Sequence, residues 1–560
     1  MPPTPAETGA ALLPAESGYR LRNERQFIDG EGLRSPKART PLAPRGAPVL
    51  LDDDQVAHFL ANGYLPLQPS LPASFHAEVF ETFLGLAGRD SDNDTGNNIL
   101  PVVPAVYRLF EDPVVKGALD SVLGPDNYFL HPHRALHSNP PGSPPQVFHH
   151  DTYWGYKRKV HNHHPWWVMI MYYPQDIYPA IGPTGVVPGT HMIAQRLDDI
   201  AQIEIPAEGP GGTCMMIHFD LWHRKMQNLT DLDRYMLKCQ FVRLRPPAAP
   251  TWNTRRRYWT SPATLPAYGM EPAWREHWDW LSGGTAERPA AAAPADAETL
   301  RGALADADAA ARREAIAAIG RLGEGGLPFI ADLAARLDDP SEPVGLSAAY
   351  ALGALGRPAI APLVAAMRAN DGDNVDDARV FVDEGQKSEL EMQARNATHG
   401  LVAVGADAAP ALVEAFAGSG PRMRKYIAFA LGEIRDDSAP VHDVLLQAAA
   451  DPDENVRMNA VEALGLKAGT PRTVAALVAA LADDADEVRF NAALALARLG
   501  PAAEPATEAL VAALDDGNRY VIGYAVEALE RIGSPRATHA LLTHLKGARW
   551  CPLTSNKSLF

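Results

Sequence analysis

Two hydrophobic patterns divide the chain near Gly283. Before that residue, short apolar or aromatic runs are broken by Pro, Gly and Asn, a texture typical of β-strands. The clearest runs are YFLHPHRALHS from Tyr128, WWVMIMYY from Trp166 and MLKCQFVRL from Met236. Beyond Gly283, apolar residues recur at helical spacing among many alanines. The pattern therefore predicts the strands of a sandwich or barrel, followed by an all-α region.

The segment LDDDQVAHFLANGYLPL, which begins at Leu51, predicts the start of the folded part of the chain. Its three consecutive aspartates supply a helix cap and favourable charge in the first turn. Val56, Phe59 and Leu60 then form an apolar stripe at helical spacing. Residues 1–49 are rich in Pro, Gly and Ala, so we expect a flexible N-terminal arm there.

An internal repeat organises the second half of the chain. Seven related nonamers, such as AVEALERIG, begin at positions 315, 348, 397, 427, 460, 492 and 525, and five of the six intervals are 30 to 33 residues long. The one longer interval holds an acidic insertion, NDGDNVDDARVFVDEGQKSE. A single helical hairpin cannot bury its apolar face, so the units are expected to stack.

This repeat resembles HEAT repeats, which implies a solenoid of paired helices over residues 299–548. A Gly-, Ala- and Pro-rich linker is predicted at residues 284–298, and the tail at 549–560 lacks the repeat pattern. We expect the solenoid to bind a protein partner or to mediate self-association. Because the formal charge after residue 283 is −13, a ligand of its inner surface is expected to be neutral or basic.

Charge and cysteine content exclude several classes of protein. The whole chain carries a formal net charge of −17, which disfavours a nucleic-acid partner because phosphate would be repelled. Three cysteines with no CxxC pair predict neither a disulfide framework nor a thiolate zinc site. The N-terminus lacks a signal-peptide pattern, and no run approaches the roughly 18 apolar residues of a membrane span. We therefore expect a cytoplasmic protein with no membrane partner.

Candidate metal ligands concentrate in the strand-rich half, which holds 14 of the 18 histidines. The segment QVFHHDTYWGY places His149 and Asp151 two residues apart, so on a strand both side chains leave from one face. A Gly/Pro turn, GPTGVVPGTH, follows, and then His223 and, eleven residues later, Arg234. Two histidines and one carboxylate on one face of an octahedral metal form the facial triad of non-haem Fe(II) oxygenases. A guanidinium on the next strand is suited to binding the carboxylate of a cosubstrate.

In order and spacing, these motifs resemble the phytanoyl-CoA dioxygenase family of Fe(II)/2-oxoglutarate oxygenases. The resemblance implies an all-β double-stranded β-helix (jelly-roll) core with flanking helices over residues 50–283. It also implies Fe(II), 2-oxoglutarate and O2 as cofactor and cosubstrates. By position, His149, Asp151 and His223 are the expected iron ligands and catalytic residues, and Arg234 is the expected 2-oxoglutarate anchor. The positions expected by the same resemblance to line the cosubstrate pocket or face the substrate are Trp167, Arg134 and Thr152.

Other histidines have a structural interpretation. His150 is expected on the opposite face of the strand from His149, where it would pack in the core or at the surface. His161, His163 and His164 look like a second metal cluster, but the triad already meets the needs of one iron, so we expect them to be structural. His131, His133 and His137 alternate along one predicted strand, and ordinary hydrogen-bonded histidine is the expectation for each.

The resemblance implies hydroxylation of an unactivated C–H bond in a small-molecule, peptide or carrier-bound substrate, with formation of succinate and CO2. Desaturation or ring closure at the same iron is an alternative, because substrate placement decides the outcome. A hypothesis from another class is a HEAT-repeat scaffold with a degenerate jelly-roll domain. The complete triad and Arg234 favour the enzyme.

Overall fold

The computed structural model describes residues 46–87, 99–151, 160–195, 197–287, 296–369, 371–373 and 389–547. Most of the predicted N-terminal arm, residues 288–295 of the predicted linker, Thr152, most of the acidic insertion and the C-terminal tail lie outside the described residues. Across the described parts of the chain, no helix is both long and apolar enough to cross a lipid bilayer.

The predicted opening helix is α1, Asp53–Asn62, and its ends follow from local sequence. The Asp52 side chain accepts a hydrogen bond from the Gln55 backbone N–H, and the Gln55 side chain accepts one from the Asp52 backbone N–H. This capping box fixes the first turn. Gly63, in the left-handed conformation with φ of 76°, ends the helix and leads directly into the first strand.

Within the described residues, eight strands form two antiparallel sheets. The five-stranded sheet has the order β1-β6-β3-β8-β2, and the three-stranded sheet has the order β5-β4-β7. The strands are β1 (Tyr64–Leu67), β2 (Tyr128–Asn139), β3 (Trp167–Tyr172), β4 (Thr184–Val186), β5 (Ile205–Pro206), β6 (Cys214–His218), β7 (His223–Lys225) and β8 (Arg234–Arg243). The three long runs predicted as strands are β2, β3 and β8. The segment that we predicted as a Gly/Pro turn itself contains β4, which pairs with β7.

Helices flank these sheets. They are α2 (Ala73–Ala87), α3 (Ile99–Val102), α4 (Tyr107–Phe110), α5 (Pro113–Leu123) and, after the last strand, α6 (Glu271–Leu281). Three tryptophans of α6 are buried, at positions 274, 278 and 280. The Pro- and Trp-rich stretch after β8 is therefore part of the core around the sheets.

The second half consists of two rows of helices. The inner row contains α8 (Ala309–Gly320), α10 (Glu342–Leu355), α12 (Glu389–Val404), α14 (Pro421–Glu433), α16 (Glu454–Gly465), α18 (Asp486–Leu499) and α20 (Arg519–Ile532). The outer row contains α7 (Ala297–Leu304), α9 (Ile330–Ala334), α11 (Ile360–Arg368), α13 (Ala409–Phe416), α15 (Ala439–Ala448), α17 (Pro471–Ala480), α19 (Thr507–Ala513) and α21 (Pro535–Gly547). Each of the seven nonamers begins within a helix of the inner row. The predicted fold, a jelly-roll followed by a HEAT-repeat solenoid, is confirmed.

The inner row packs against the strand-rich half of the same chain. The Tyr524 hydroxyl lies 2.6 Å from His131 Nε2, and the Tyr350 hydroxyl lies 2.9 Å from His163 Nδ1. The Glu433 carboxylate accepts a hydrogen bond from Trp166 Nε1 at 3.0 Å. We predicted that the inner surface would receive a separate neutral or basic ligand. The described contacts place these inner-row side chains against the strand-rich half of the chain, and binding of a separate ligand stays a prediction.

Candidate metal centre

The two candidate histidine ligands lie on paired backbone segments. His149 and His223 exchange both backbone hydrogen bonds, N–H to O, at 3.0 and 3.1 Å. His223 begins β7 and also pairs with Val186 of β4, so its backbone is held from both sides. Asp151 follows His149 by two residues and is fully buried. The three side chains therefore project from the small sheet and its extension.

Hydrogen bonds to backbone carbonyls orient both imidazoles. His149 Nδ1 lies 3.0 Å from the Val147 carbonyl oxygen, and His223 Nδ1 lies 2.8 Å from the Leu221 carbonyl oxygen. An Nδ1–H that donates to a carbonyl leaves Nε2 as the free lone pair for a metal. The His223 Nε2 atom lies 3.9 Å from Asp151 Oδ2, and one ligand atom from each of the three residues lies within 4.8 Å of the others. This spacing suits three bonds of about 2.1 Å to one metal ion.

Charge and burial favour the protonation states that a metal site needs. Burial lowers the pKa of His223 to about 4, so this imidazole is neutral near pH 7. Burial alone would raise the pKa of Asp151, but the Lys238 ammonium and the two imidazoles outweigh that effect and hold it well below its usual range. Neutral histidine and ionised aspartate are the metal-binding forms.

Lys238 is a site residue that the sequence reasoning missed. Its ammonium donates to Asp151 Oδ2 at 2.8 Å, and both side chains are buried. Asp151 Oδ1 has no hydrogen-bond partner among the residues that the structure describes. A buried carboxylate with one oxygen paired and the other free fits a metal ion bound through the free oxygen. Lys238 follows Arg234 by four residues on a strand, and this even spacing was the signal that could have identified it.

Arg234 lies on the same face of β8 as Lys238, since residues two apart on a strand share a face. It is buried, its Nε donates to the Gly182 carbonyl oxygen at 3.1 Å, and its Nη1 has no partner among the described residues. Gly182 has a φ of 68°, and a Cβ there would lie 2.4 Å from Asn139 Nδ2, so the turn requires glycine. A buried guanidinium with a free edge fits a carboxylate ligand.

The remaining predicted site residues fall in three different places. Trp167 lies on the same face of the large sheet as Lys238, because Met171, four residues on, pairs directly with Lys238. Arg134 pairs with Cys239 and therefore lies on the opposite face, so the structure does not bring it to the triad. Thr152 lies outside the described residues.

The buried side-chain amide of Gln240 faces the triad side of the large sheet. Gln240 lies two residues after Lys238 and is completely buried, and neither its amide nitrogen nor its amide oxygen has a partner among the described residues. Its position on β8 gives it the face shared by Arg234 and Lys238. Sequence reasoning missed it because a single Gln in an apolar strand carries no signal of its own.

The described residues contain two further groups with potential metal-ligating atoms. One consists of His150, His161 and Asp220, in which His150 Nδ1 lies 2.6 Å from the Asp220 carbonyl oxygen and its ring packs on Trp222. The other consists of His164, Glu276 and His277. In that group, carboxylates of Glu276 and Glu433 raise the pKa of His164 to about 9 against the effect of burial. His164 is therefore a cation paired with two carboxylates at neutral pH.

Comparison with family models matches residues 50–236 to phytanoyl-CoA dioxygenase. It matches residues 297–380, 409–497 and 483–550 to HEAT repeats. The comparison with curated proteins found no match.

Several solved structures are similar to a part of this chain. A non-heme alpha-ketoglutarate-dependent carbocyclase, SnoK from nogalamycin biosynthesis, is 13% identical, with 36% of this chain and 88% of that chain covered and a TM-score of 0.29. EctD from S. alaskensis, with 2-oxoglutarate and 5-hydroxyectoine, is 17% identical, with 37% and 86% covered and a TM-score of 0.29. A non-heme monooxygenase, the ThoJ–Ni complex, is 16% identical, with 41% and 96% covered and a TM-score of 0.29.

Proposed function

From the match of residues 50–236 to the phytanoyl-CoA dioxygenase family model, followed by matches to HEAT repeats, we propose that this chain is an Fe(II)/2-oxoglutarate-dependent hydroxylase. The ligands of its iron are His149, Asp151 and His223. The observation that carries the proposal is the convergence of two carbonyl-oriented imidazoles on a buried aspartate whose Oδ1 is free among the described residues. The substrate class is a small molecule, a peptide or a carrier-bound group with an unactivated C–H bond.

The overall reaction consumes 2-oxoglutarate, O2 and the substrate R–H, and yields succinate, CO2 and R–OH. One oxygen atom of O2 enters succinate and the other enters the alcohol. Bound iron supplies the oxidative chemistry, and the protein supplies orientation and a dry environment.

Each named side chain has a task in this proposal. Arg234 binds the distal carboxylate of 2-oxoglutarate through its free edge, and Gly182 holds the guanidinium in place through Nε. Lys238 balances the charge of Asp151 and leaves one oxygen for the metal. Trp167 lines the cosubstrate pocket from the large sheet. The position of Arg134 on the opposite face does not support a direct role in substrate binding.

The test is conversion of 2-oxoglutarate to succinate by the full-length protein with Fe(II) and O2. We expect slow succinate formation without substrate, and none above background in His223→Ala, because two ligands do not retain the iron. A library of metabolites and peptides then identifies the substrate as the compound that stimulates turnover. Equal succinate formation by the wild type and by His223→Ala would overturn the proposal.

A further inference from the structure

The last helix of the inner row covers an edge of the jelly-roll. β2 lies at one edge of the five-stranded sheet, and α20 packs against it. At Gly523 a Cβ would lie 2.5 Å from Cγ of the Pro132 ring, so only glycine allows this approach without displacement. An edge strand presents unpaired backbone groups, and a covering helix protects them. The tight fit makes α20 part of the same packed unit as β2.

A chain of contacts leads from α20 to the face of the sheet that carries the candidate site. His131 Nδ1 accepts a hydrogen bond from the His133 backbone N–H at 3.0 Å, which leaves the imidazole proton on Nε2. That Nε2–H donates to the Tyr524 hydroxyl at 2.6 Å. The His131 ring lies 5.1 Å from the Trp167 ring, centroid to centroid. Tyr524 thereby fixes the imidazole that packs against Trp167.

A second contact reaches the neighbourhood of the metal ligands. The Tyr520 hydroxyl lies 3.4 Å from His133 Nδ1. Burial lowers the pKa of His133 to about 3, and the nearby charges of Lys238 and Asp151 shift that pKa in opposite directions. The same helix therefore contacts two alternate histidines of β2, one beside Trp167 and one near the ion pair of Asp151 with Lys238.

We infer that α20, the inner-row helix of the last HEAT repeat, helps to form the 2-oxoglutarate site. Tyr524 is a positioning residue: it holds the His131 imidazole, which in turn positions the Trp167 indole. This inference rests on the proposed function. It assigns the repeats a role within the oxygenase site, whereas a scaffold role alone would leave cosubstrate binding independent of the last repeat.

The test is calorimetric titration of 2-oxoglutarate into the Fe(II)-loaded full-length protein without O2. In Tyr524→Phe, the buried His131 Nε2–H loses its hydrogen bond to the Tyr524 hydroxyl, and we expect 2-oxoglutarate to bind about three- to tenfold more weakly, with Fe(II) affinity unchanged. Gly523→Ala should weaken 2-oxoglutarate binding in the same direction, since the methyl group displaces Pro132. Gly517→Ala is its control, because a Cβ at Gly517 meets no atom within 4 Å.

Tyr350→Phe is the matched control for loss of an interface hydroxyl. Tyr350 lies in α10 of the same inner row, and its hydroxyl lies 2.9 Å from His163 Nδ1 and 3.2 Å from His277 Nε2. The ring nearest to His163 is that of His399, at a centroid distance of 3.5 Å. Tyr350→Phe removes hydroxyl contacts to His163 and His277 and leaves the contact between Tyr524 and His131 in place, so we expect unchanged affinity for 2-oxoglutarate.

Weaker 2-oxoglutarate binding in Tyr524→Phe but not in Tyr350→Phe supports the inference. Equal weakening in both variants overturns it, because general loosening of the interface would then be the cause. Unchanged binding in Tyr524→Phe also overturns it, while leaving the oxygenase proposal intact. Absence of 2-oxoglutarate binding in the wild type would instead overturn the proposed function, and this inference with it.

Discussion

At the residue scale, the candidate site contains a buried ion pair in which the Lys238 ammonium donates to Asp151 Oδ2 at 2.8 Å. Asp151 Oδ1 has no hydrogen-bond partner among the described residues, so that oxygen is available to a metal ion.

The ion pair of Lys238 with Asp151 predicts a stability effect that depends on metal. In Lys238→Met, the buried carboxylate loses its cation, and we expect the metal-free protein to lose roughly 3–5 kcal/mol of unfolding free energy at neutral pH. Fe(II) added without O2 should restore more stability in this variant than in the wild type, because the ion supplies the missing positive charge. Urea unfolding with and without Fe(II) measures both quantities.

Lys225→Met is the control for this substitution. Lys225 is partly exposed, and its Nζ donates to Ser143 Oγ at 2.7 Å, while no carboxylate of the described residues pairs with it. We expect this variant to change the unfolding free energy by about 1 kcal/mol or less. A Lys238→Met protein as stable as the wild type without metal would contradict the buried ion pair.

The sequence predicts the candidate site only where its residues follow local spacing rules. His149 and Asp151 are two residues apart, and His223 and Arg234 follow in the expected order, so a linear motif reveals all four. Lys238 is different, because its significance depends on Asp151 approaching from another sheet. Sequence spacing places Lys238 on the face of Arg234 but does not show which residue it meets.

At the element scale, aspartates in the turns between repeats connect one repeat to the next. An arginine of one repeat forms paired hydrogen bonds with an aspartate of the next, in Arg312–Asp339, Arg424–Asp451, Arg457–Asp483 and Arg489–Asp516. The same aspartates accept backbone N–H groups in the turns. These four aspartates therefore connect neighbouring repeats and also order the turns that precede the inner-row helices.

These Arg–Asp pairs predict that a paired arginine contributes more to stability than a surface arginine. Arg457 donates to both oxygens of Asp483 at 2.8 and 3.0 Å in a mostly buried pair, so Arg457→Ala should cost roughly 1.5–3 kcal/mol of unfolding free energy. Arg472 pairs with Asp443 at the surface, and both side chains are more than half exposed. Arg472→Ala should cost less than about 1 kcal/mol. Chemical unfolding of both variants measures the difference, and equal losses of unfolding free energy would argue against the Arg–Asp pairs as a source of stability.

The register of β2 could not be predicted from the sequence. The alternation of His131, His133 and His137 predicted one continuous strand face, but the register of β2 with β8 shifts between Leu130 and Arg134. A bulge of this kind depends on the partner strand and leaves no signature in the sequence of β2. The expectation of a hydrogen-bonded histidine holds for His131, whose partner Tyr524 lies 393 residues away.

At the scale of the whole molecule, the interface between repeats and sheets depends on a buried charged histidine. His164 Nδ1 lies 2.9 Å from a Glu433 oxygen, and its Nε2 lies 3.0 Å from a Glu276 oxygen. Burial disfavours the imidazolium, but the two glutamates raise the pKa of His164 to about 9. The sequence predicted two separate domains and gave no sign of this contact, because Glu433 is 269 residues from His164 along the chain.

The raised pKa of His164 predicts a stability loss in alkali. The imidazolium contributes fully below the ordinary histidine pKa of about 6.5, and its contribution is lost as pH rises through about 9. We therefore expect the unfolding free energy of the wild type to fall between pH 6.5 and 9.5 more steeply than that of His164→Gln. Urea unfolding across this range measures the difference. Parallel pH profiles for the two proteins would mean that His164 is not charged in the folded state.

The central claim is that one set of residues binds Fe(II) and another binds 2-oxoglutarate. The most direct measurement is sequential titration of Fe(II) and then 2-oxoglutarate into the full-length protein without O2, followed by calorimetry. His223→Ala should lose Fe(II) binding, whereas the exposed control His539→Ala should bind Fe(II) like the wild type. Arg234→Ala should keep Fe(II) but bind 2-oxoglutarate about two to three decades more weakly. Wild-type Fe(II) affinity in His223→Ala, or unchanged 2-oxoglutarate affinity in Arg234→Ala, would contradict the account.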